Sequence, residues 1–139
     1  MTKSIIMQLE EQSEAAPVWE IWRDKVKSAL KKYAHGTYTI EDIEGFIASG
    51  DMLIWPTDQS IALIEVFDYP QVKCLHVFMV LGELEDVYAH MEYVEDFARY
   101  MGCGMISANG RTGWARHLKN QGWNQQGWFT KTLNKLEIN

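Results

Sequence analysis

Between Val18 and Tyr33, Trp19, Trp22, Val26, Ala29, Leu30 and Tyr33 recur at spacings of three and four, while Arg23, Asp24, Lys27, Lys31 and Lys32 fall between them. That period lines the apolar side chains along one face of a helix. Pro17 suits its first turn and Gly36 stands just past its end. A second, shorter helix follows, with Ile40, Ile43, Phe46 and Ile47 as its apolar face. Thr39 is placed to cap it, Glu41 and Asp42 sit where free N–H groups and the helix dipole favour acids, and Gly50 ends it.

The period then drops to two. Met52–Trp55 and Ile61–Phe67, joined through Pro56-Thr57-Asp58-Gln59, read as a β-hairpin, and Asp68-Tyr69-Pro70 turns the chain again. Lys73–Leu81 is a third strand, expected to point Leu75, Val77 and Met79 one way and His76, Phe78 and Val80 the other. With both faces apolar it reads as central. Glu85–Met101 returns to helical spacing through Val87, Tyr88, Met91, Val94, Phe97, Ala98 and Met101, with Gly102 as its cap. Gly104–Ala108 is a short strand, Gly110–Trp123 holds a short helix that stops on Gly122, and Gln126–Leu133 alternates as a closing strand.

The order is α-α-β-β-β-α-β-α-β. A strand, a long helix and another strand make a crossover between parallel neighbours, whereas the hairpin is antiparallel. The expected fold is therefore α/β (α+β): a mixed central sheet with helices on both faces, in a single domain spanning 1–139, with residues 1–17 as a loose N-terminal arm.

Composition narrows the function classes. The chain has 139 residues, 47% of them hydrophobic, and a net charge of −6. An acidic domain is a poor general binder of nucleic acid or anionic membrane. No apolar run approaches the roughly 20 residues that span a bilayer, and the first residues, MTKSIIMQLEEQSE, do not read as a signal peptide. A cytoplasmic protein is expected. The charge is unevenly spread: residues 1–103 hold 8 Lys/Arg against 18 Asp/Glu, a net −10, and residues 104–139 hold 5 against 1, a net +4. Cys74 and Cys103 lie in no metal-ligand spacing, and His35, His76, His90 and His117 form no paired set, so reduced thiols and no metal are expected.

Two helices, a strand meander, a central strand running into a long helix, a short strand and a last arm containing Gly122-Trp123 resemble the GNAT-type N-acetyltransferase superfamily over residues 18–133. The likeness is concentrated in residues 102–123, GCGMISANGRTGWARHLKNQGW. Within that superfamily the phrases Ile64-Glu65-Val66-Phe67-Asp68-Tyr69-Pro70, Ala98-Arg99-Tyr100-Met101-Gly102-Cys103 and Gly110-Arg111-Thr112-Gly113-Trp114 are similar to GNAT-like proteins that tailed phages encode among their virion genes.

The resemblance implies an acetyl-CoA site whose pyrophosphate rests on a glycine-rich loop between the central strand and the long helix. Glycines there let the backbone approach, and the helix N-terminus supplies N–H donors. The matching stretch is Leu81-Gly82-Glu83-Leu84-Glu85-Asp86, with one glycine, no Arg or Gln, and three carboxylates. The family's frequent general acid, a tyrosine four residues before the Gly-aromatic pair, is Leu118 here, which has no proton to give. Asn109 and Arg111 bracket the position where the family often has asparagine. Glu65 and His76 are the remaining candidates for a base.

With these residues the resemblance implies a GNAT-fold phage protein with a degenerate loop at Leu81, Gly82, Glu83 and Leu84, non-catalytic and acting through protein–protein contacts in virion structure or assembly, in the host cytoplasm or the virion. No cofactor is expected on that reading. Its partners would be other virion proteins or further copies of itself, met through Arg111, Trp114, Arg116 and Lys119; nucleic acid and membrane are disfavoured. The alternative is an acetyl-CoA-dependent N-acetyltransferase using Glu65 or His76, and a third reading is a CoA-sensing or small-ligand-binding module. Trp114, Leu118 and Trp123 are expected to pack their helix.

Overall fold

The computed structural model describes residues 15–109, 114–127 and 130–134. They form two compact units, one up to Asn109 and one beyond it.

Helix α1, Ala15–Tyr33, carries the predicted stripe, with Trp19, Val26, Ala29 and Leu30 buried, although Tyr33 at its end is exposed. The helix takes in Ala15–Pro17, the last residues of the expected loose arm; the rest of that span, residues 1–14, lies outside the described residues. His35 (φ 53°) and Gly36 (φ 75°) turn the chain out of it. Helix α2, Ile40–Ser49, opens on a reciprocal cap: the Asp42 N–H donates to the Thr39 hydroxyl, and the Thr39 N–H donates to the Asp42 carboxylate. Gly50 closes it in the left-handed region at φ 82°. Ile40 and Ile43 are buried, whereas Phe46, assigned to the same face, is exposed at the rim. Glu44 clamps α2 to α1, accepting from Arg23 Nε and Nη2 and from Trp19 Nε1, each at 3.0 Å.

Strands β1 (Met52–Pro56), β2 (Ser60–Asp68), β3 (Lys73–Gly82) and β4 (Met105–Ala108) form one sheet in the order β1-β2-β3-β4. The first two pairings are antiparallel and β3–β4 is parallel. The crossover between β3 and β4 is helix α3, Leu84–Tyr100. Its end is fixed by two bonds around a left-handed glycine: Gly102 (φ 81°) N–H to Arg99 O at 3.0 Å and Cys103 N–H to Ala98 O at 2.9 Å. Gly104 N–H then reaches Lys73 O at 2.9 Å and starts β4 beside the first residue of β3.

One sheet face packs on α1 and α2 through Trp19, Val26, Leu30, Ile40, Ile43, Met52, Ile54, Ile61 and Leu63. The other packs on α3 through Trp55, Ile64, Leu75, Val94, Phe97 and Ala98, with the Trp55 and Phe97 rings edge-on at 5.5 Å. This is the mixed sheet with helices on both faces that the sequence predicts. The alternation along β3 is corrected, however. Leu63 pairs with Met79 and Ile64 with Val77, so Phe78 is an extra residue, a β-bulge. Val77 packs on the α3 side, but Phe78, Met79 and Leu81 all pack on the α1–α2 side. Met79 and Val80 therefore exchange the faces that strict alternation assigns them.

In the second unit, helix α4, Ala115–Asn120, ends like α3: Gly122 (φ 87°) N–H bonds Lys119 O at 3.2 Å, and Trp123 N–H bonds Leu118 O at 3.0 Å. Trp114, Leu118 and Trp123 are half-buried rather than buried. The closing strand is not formed by the described residues of its span, Gln126, Gly127 and Thr130–Leu133. They are exposed, Leu133 at 77%, so burial of these described residues does not offset the cost of extending the chain.

Candidate functional site

Two places on the first unit correspond to the candidate residues. The first is a row across the sheet. Met52 pairs with Glu65, Glu65 with His76, and His76 with Ser107, so four strands each place one side chain on the α1–α2 face. His76 Nδ1 lies 2.7 Å from Ser107 Oγ, and that oxygen is 3.3 Å from Cys74 Sγ. The Phe67 ring lies over the imidazole at 5.6 Å and 31°. Met52 and Cys74 are buried, while Glu65, His76 and Ser107 are half-buried.

Burial disfavours charge on both ionisable members of this row. It pushes the Glu65 carboxyl above its usual range and holds the His76 imidazole below its ordinary value. A neutral imidazole bonded through Nδ1 is able to accept a proton, so the structure brings together the two base candidates that the sequence names. Ser107 was not legible as their neighbour, because only the β3–β4 register puts it opposite His76.

The second place is the start of α3. Gly82 has φ 121°, and a Cβ built on it would lie 2.3 Å from Gln59 O and 2.5 Å from Ser60 Cα. No side chain fits there. The glycine that the resemblance places in a phosphate loop is thus required by the close approach of the β1–β2 turn. Glu83 precedes the helix without a side-chain cap, its N–H donating to Gln59 O at 3.2 Å.

Asp86 turns to the same β1–β2 turn. Its carboxylate accepts from the Thr57 hydroxyl, from the Ser60 hydroxyl at 2.6 Å and from the Gln59 backbone. The two hydroxyl bonds lead in holding its pKa below the usual carboxylate value, and His90 Nε2, 3.7 Å away, adds a smaller effect. The sequence identifies these acids but not this tie, which joins residues 26 and 29 positions apart. Gln59, Glu83, Leu84, Glu85 and Asp86 line an open depression of about 580 Å³ in front of the helix.

A pyrophosphate needs N–H donors or cations with no competing carboxylates. Here Glu83 and Glu85 are exposed at the rim, and among the described residues no Lys or Arg lines the depression. These residues do not fit the pyrophosphate of acetyl-CoA.

In the second unit Trp114 is half-buried at the start of α4, and Arg116 and Lys119 are exposed on it. Arg111 lies outside the described residues. The thiols of Cys74 and Cys103 are free, and no cluster of His, Cys, Asp or Glu suited to a metal is found among the described residues. No described helix is long and apolar enough to cross a membrane.

No protein-family model matches this sequence, and no curated protein sequence is similar to it. Solved structures are. A protein described as a probable acetyltransferase superposes with a TM-score of 0.63 at 7% identity, covering 89% of this chain and 95% of its own. A protein from Pyrococcus furiosus described as a candidate acetyl transferase gives 0.59 at 10% identity, covering 86% and 96%. A ribosomal-protein-alanine N-acetyltransferase from Brucella melitensis biovar Abortus gives 0.52 at 12% identity, covering 82% and 94%. At such identities the likeness speaks of architecture alone, and that architecture is the fold of the GNAT acetyltransferases.

Proposed function

We propose that the chain is a GNAT-fold protein whose acetyl-CoA site is degenerate and which acts through protein–protein contacts rather than acyl transfer. The observation behind this reading is the depression before α3, lined by Glu83, Glu85 and Asp86 and, among the described residues, by no cation. Two like charges about 4 Å apart repel by ~4 kcal/mol at an effective dielectric of 20, against about −8 kcal/mol for the whole of a micromolar affinity. Leu118, where the family often has its acid tyrosine, supports the same reading. The finer proposal, a phage protein of the host cytoplasm or virion whose partners are virion proteins or its own copies, rests on the phrases at Ile64–Pro70, Ala98–Cys103 and Gly110–Trp114. Arg111, Trp114, Arg116 and Lys119 are its contact candidates.

A second reading, N-acetyl transfer to an unspecified amine, is favoured by the Glu65–His76–Ser107 row, which holds a neutral imidazole beside a carboxyl. Thermal melting separates the two. A ligand at 100 times its dissociation constant stabilises a fold by ~2.7 kcal/mol. We expect millimolar acetyl-CoA or CoA to leave the melting temperature unchanged. A saturable rise would overturn the degenerate-site reading and turn attention to Glu65 and His76.

A further inference from the structure

The two helix layers of the first unit carry opposite charges. Between Asp24 and Glu41 the chain holds four lysines, Lys25, Lys27, Lys31 and Lys32, and no acid. All four are exposed, so the outer face of α1 is basic within an acidic chain. Lys25 and Lys32 rest over the Trp22 and Tyr33 rings at 4.9 and 5.2 Å, and none of the four makes an ion pair among the described residues. Helix α3 reverses the balance, with Glu85, Asp86, Glu92, Glu95 and Asp96 against Arg99. Asp86 is tied to the β1–β2 turn, and Asp96 to Arg99 at 3.1 Å. Glu85 and Glu92 are exposed and make no ion pair among the described residues.

The spacing matches as well as the sign. Ile21, Lys25, Ser28 and Lys32 form an exposed ridge of α1 at intervals of four, three and four, and Glu85, Ala89, Glu92 and Asp96 form the outward ridge of α3 at the same intervals. Laid antiparallel, the ridges set Lys32 against Glu85, Ser28 against Ala89 and Lys25 against Glu92, with about 10.5 Å along the axis between the two charge pairs on either helix. The small Ser28 and Ala89 let the axes approach between those pairs. Ile21, 71% exposed, then comes down beside exposed Tyr93 and Tyr100. A parallel arrangement keeps the charge pairs, but α1 ends at Tyr33, opposite Tyr93, and Ile21 falls beyond the start of α3. Only the antiparallel one uses the length of both helices.

Helix α1 packs on one face of the sheet and α3 on the other, so the two ridges of one chain cannot meet each other. We propose that the α1 ridge of Ile21, Lys25, Ser28 and Lys32 docks antiparallel on the α3 ridge of Glu85, Ala89, Glu92 and Asp96 of a second copy of this chain. The exposed ion pairs orient the encounter more than they hold it, and Ile21 beside the two tyrosines supplies the apolar contact. The contacting surfaces differ and lie on opposite faces, so the contact is head-to-tail and builds a ring or a filament according to whether the rotation closes. This inference rests on the protein-contact reading above and gives that reading a surface.

The test uses the full chain. Sedimentation should show association that grows with protein concentration and falls with salt. Lys25→Glu with Lys32→Glu, and separately Glu85→Lys with Glu92→Lys, should each stay close to the native melting temperature, because all four residues are exposed. Each should weaken association about tenfold or more. Either variant alone sets like charges against each other in its own contact, whereas a mixture of the two sets unlike charges together at every mixed contact. Mixing should therefore restore association to the wild-type level. Ile21→Ser should weaken association several-fold, and it carries the decision should either charge variant fail to fold. A single monomeric species at all concentrations overturns the inference, as does association that the charge variants retain or that their mixture fails to regain; each of these leaves the protein-contact reading standing on another surface or partner. A saturable rise in melting temperature with acetyl-CoA, in a chain that stays monomeric, overturns both.

Discussion

Helices α2 and α3 both begin with acids, and the two starts are built on different principles. At α2 the cap is local: Thr39 and Asp42, three residues apart, satisfy each other's N–H groups. At α3 the preceding Glu83 caps nothing with its side chain, and Asp86, the third residue of the helix, bonds instead to Thr57, Gln59 and Ser60 of a distant turn. The first device stabilises a helix; the second fastens a helix to a sheet. Acids in a first turn thus read identically in sequence and do different things in the fold.

The sharpest way to break the second start is Gly82→Ala. The methyl would meet backbone at 2.3 Å on a residue whose φ of 121° disfavours any side chain. Strain and overpacking each cost about 1–3 kcal/mol, so a loss of about 3 kcal/mol or more is expected in urea unfolding. A loss below about 1 kcal/mol would show that the β1–β2 turn moves aside and that the tie at α3 is loose.

Next in size is Asp86→Ala. It removes the acceptor shared by the Thr57 hydroxyl and the Ser60 hydroxyl, the latter on a residue only 2% exposed, and the expected cost is about 2 kcal/mol. The wild-type contribution depends on pH in one direction. The folded pKa of Asp86 is depressed, so its stabilisation is full above the unfolded carboxylate value of about 3.9 and is lost as the pH falls through the lower folded value. The variant should therefore lose less stability than wild type as the pH falls below about 4. Parallel acid titrations of the two proteins would deny this tie any role.

The smallest effect belongs to the local start. Thr39→Ala should cost about 1 kcal/mol, the usual value of an N-cap. Amide exchange should quicken over the first turn of α2 and stay unchanged in α3. Faster exchange at both helices would mean that the two starts are coupled after all.

Features encoded within a few residues were legible in the sequence: the Thr39 cap, the glycine stops at Gly50, Gly102 and Gly122, the hairpin and the long crossover helix. Features that depend on distant pairing were not. The bulge at Phe78 shows only when β2 is laid beside β3, since nothing in Val77-Phe78-Met79 departs from a plain apolar strand. Ser107 joins Glu65 and His76 only through the parallel register of β4. The alternation in Gln126–Leu133 was read as a strand, yet a strand needs a neighbour, and the described residues of that segment have none. Glu65 and His76 were found because they are chemistry-bearing residues within the apolar runs of two strands, a signal that needs no partner to be seen.

The glycine stop at Gly102 has a bearing on which lengths the chain tolerates. With the last turn of α3 locked to Gly102 and Cys103, and Gly104 bonded to Lys73, the connection from β3 to β4 works as a ruler with both ends pinned. One residue added inside α3 would rotate everything after it by about 100°, carrying Val94, Phe97 and Ala98 off Trp55. One residue added to the Tyr69–Val72 turn, whose ends already bond to each other, would be absorbed at the surface. Lineages of this protein should therefore vary in length between β2 and β3 and keep α3 at one length, and an insertion scan should recover the same asymmetry.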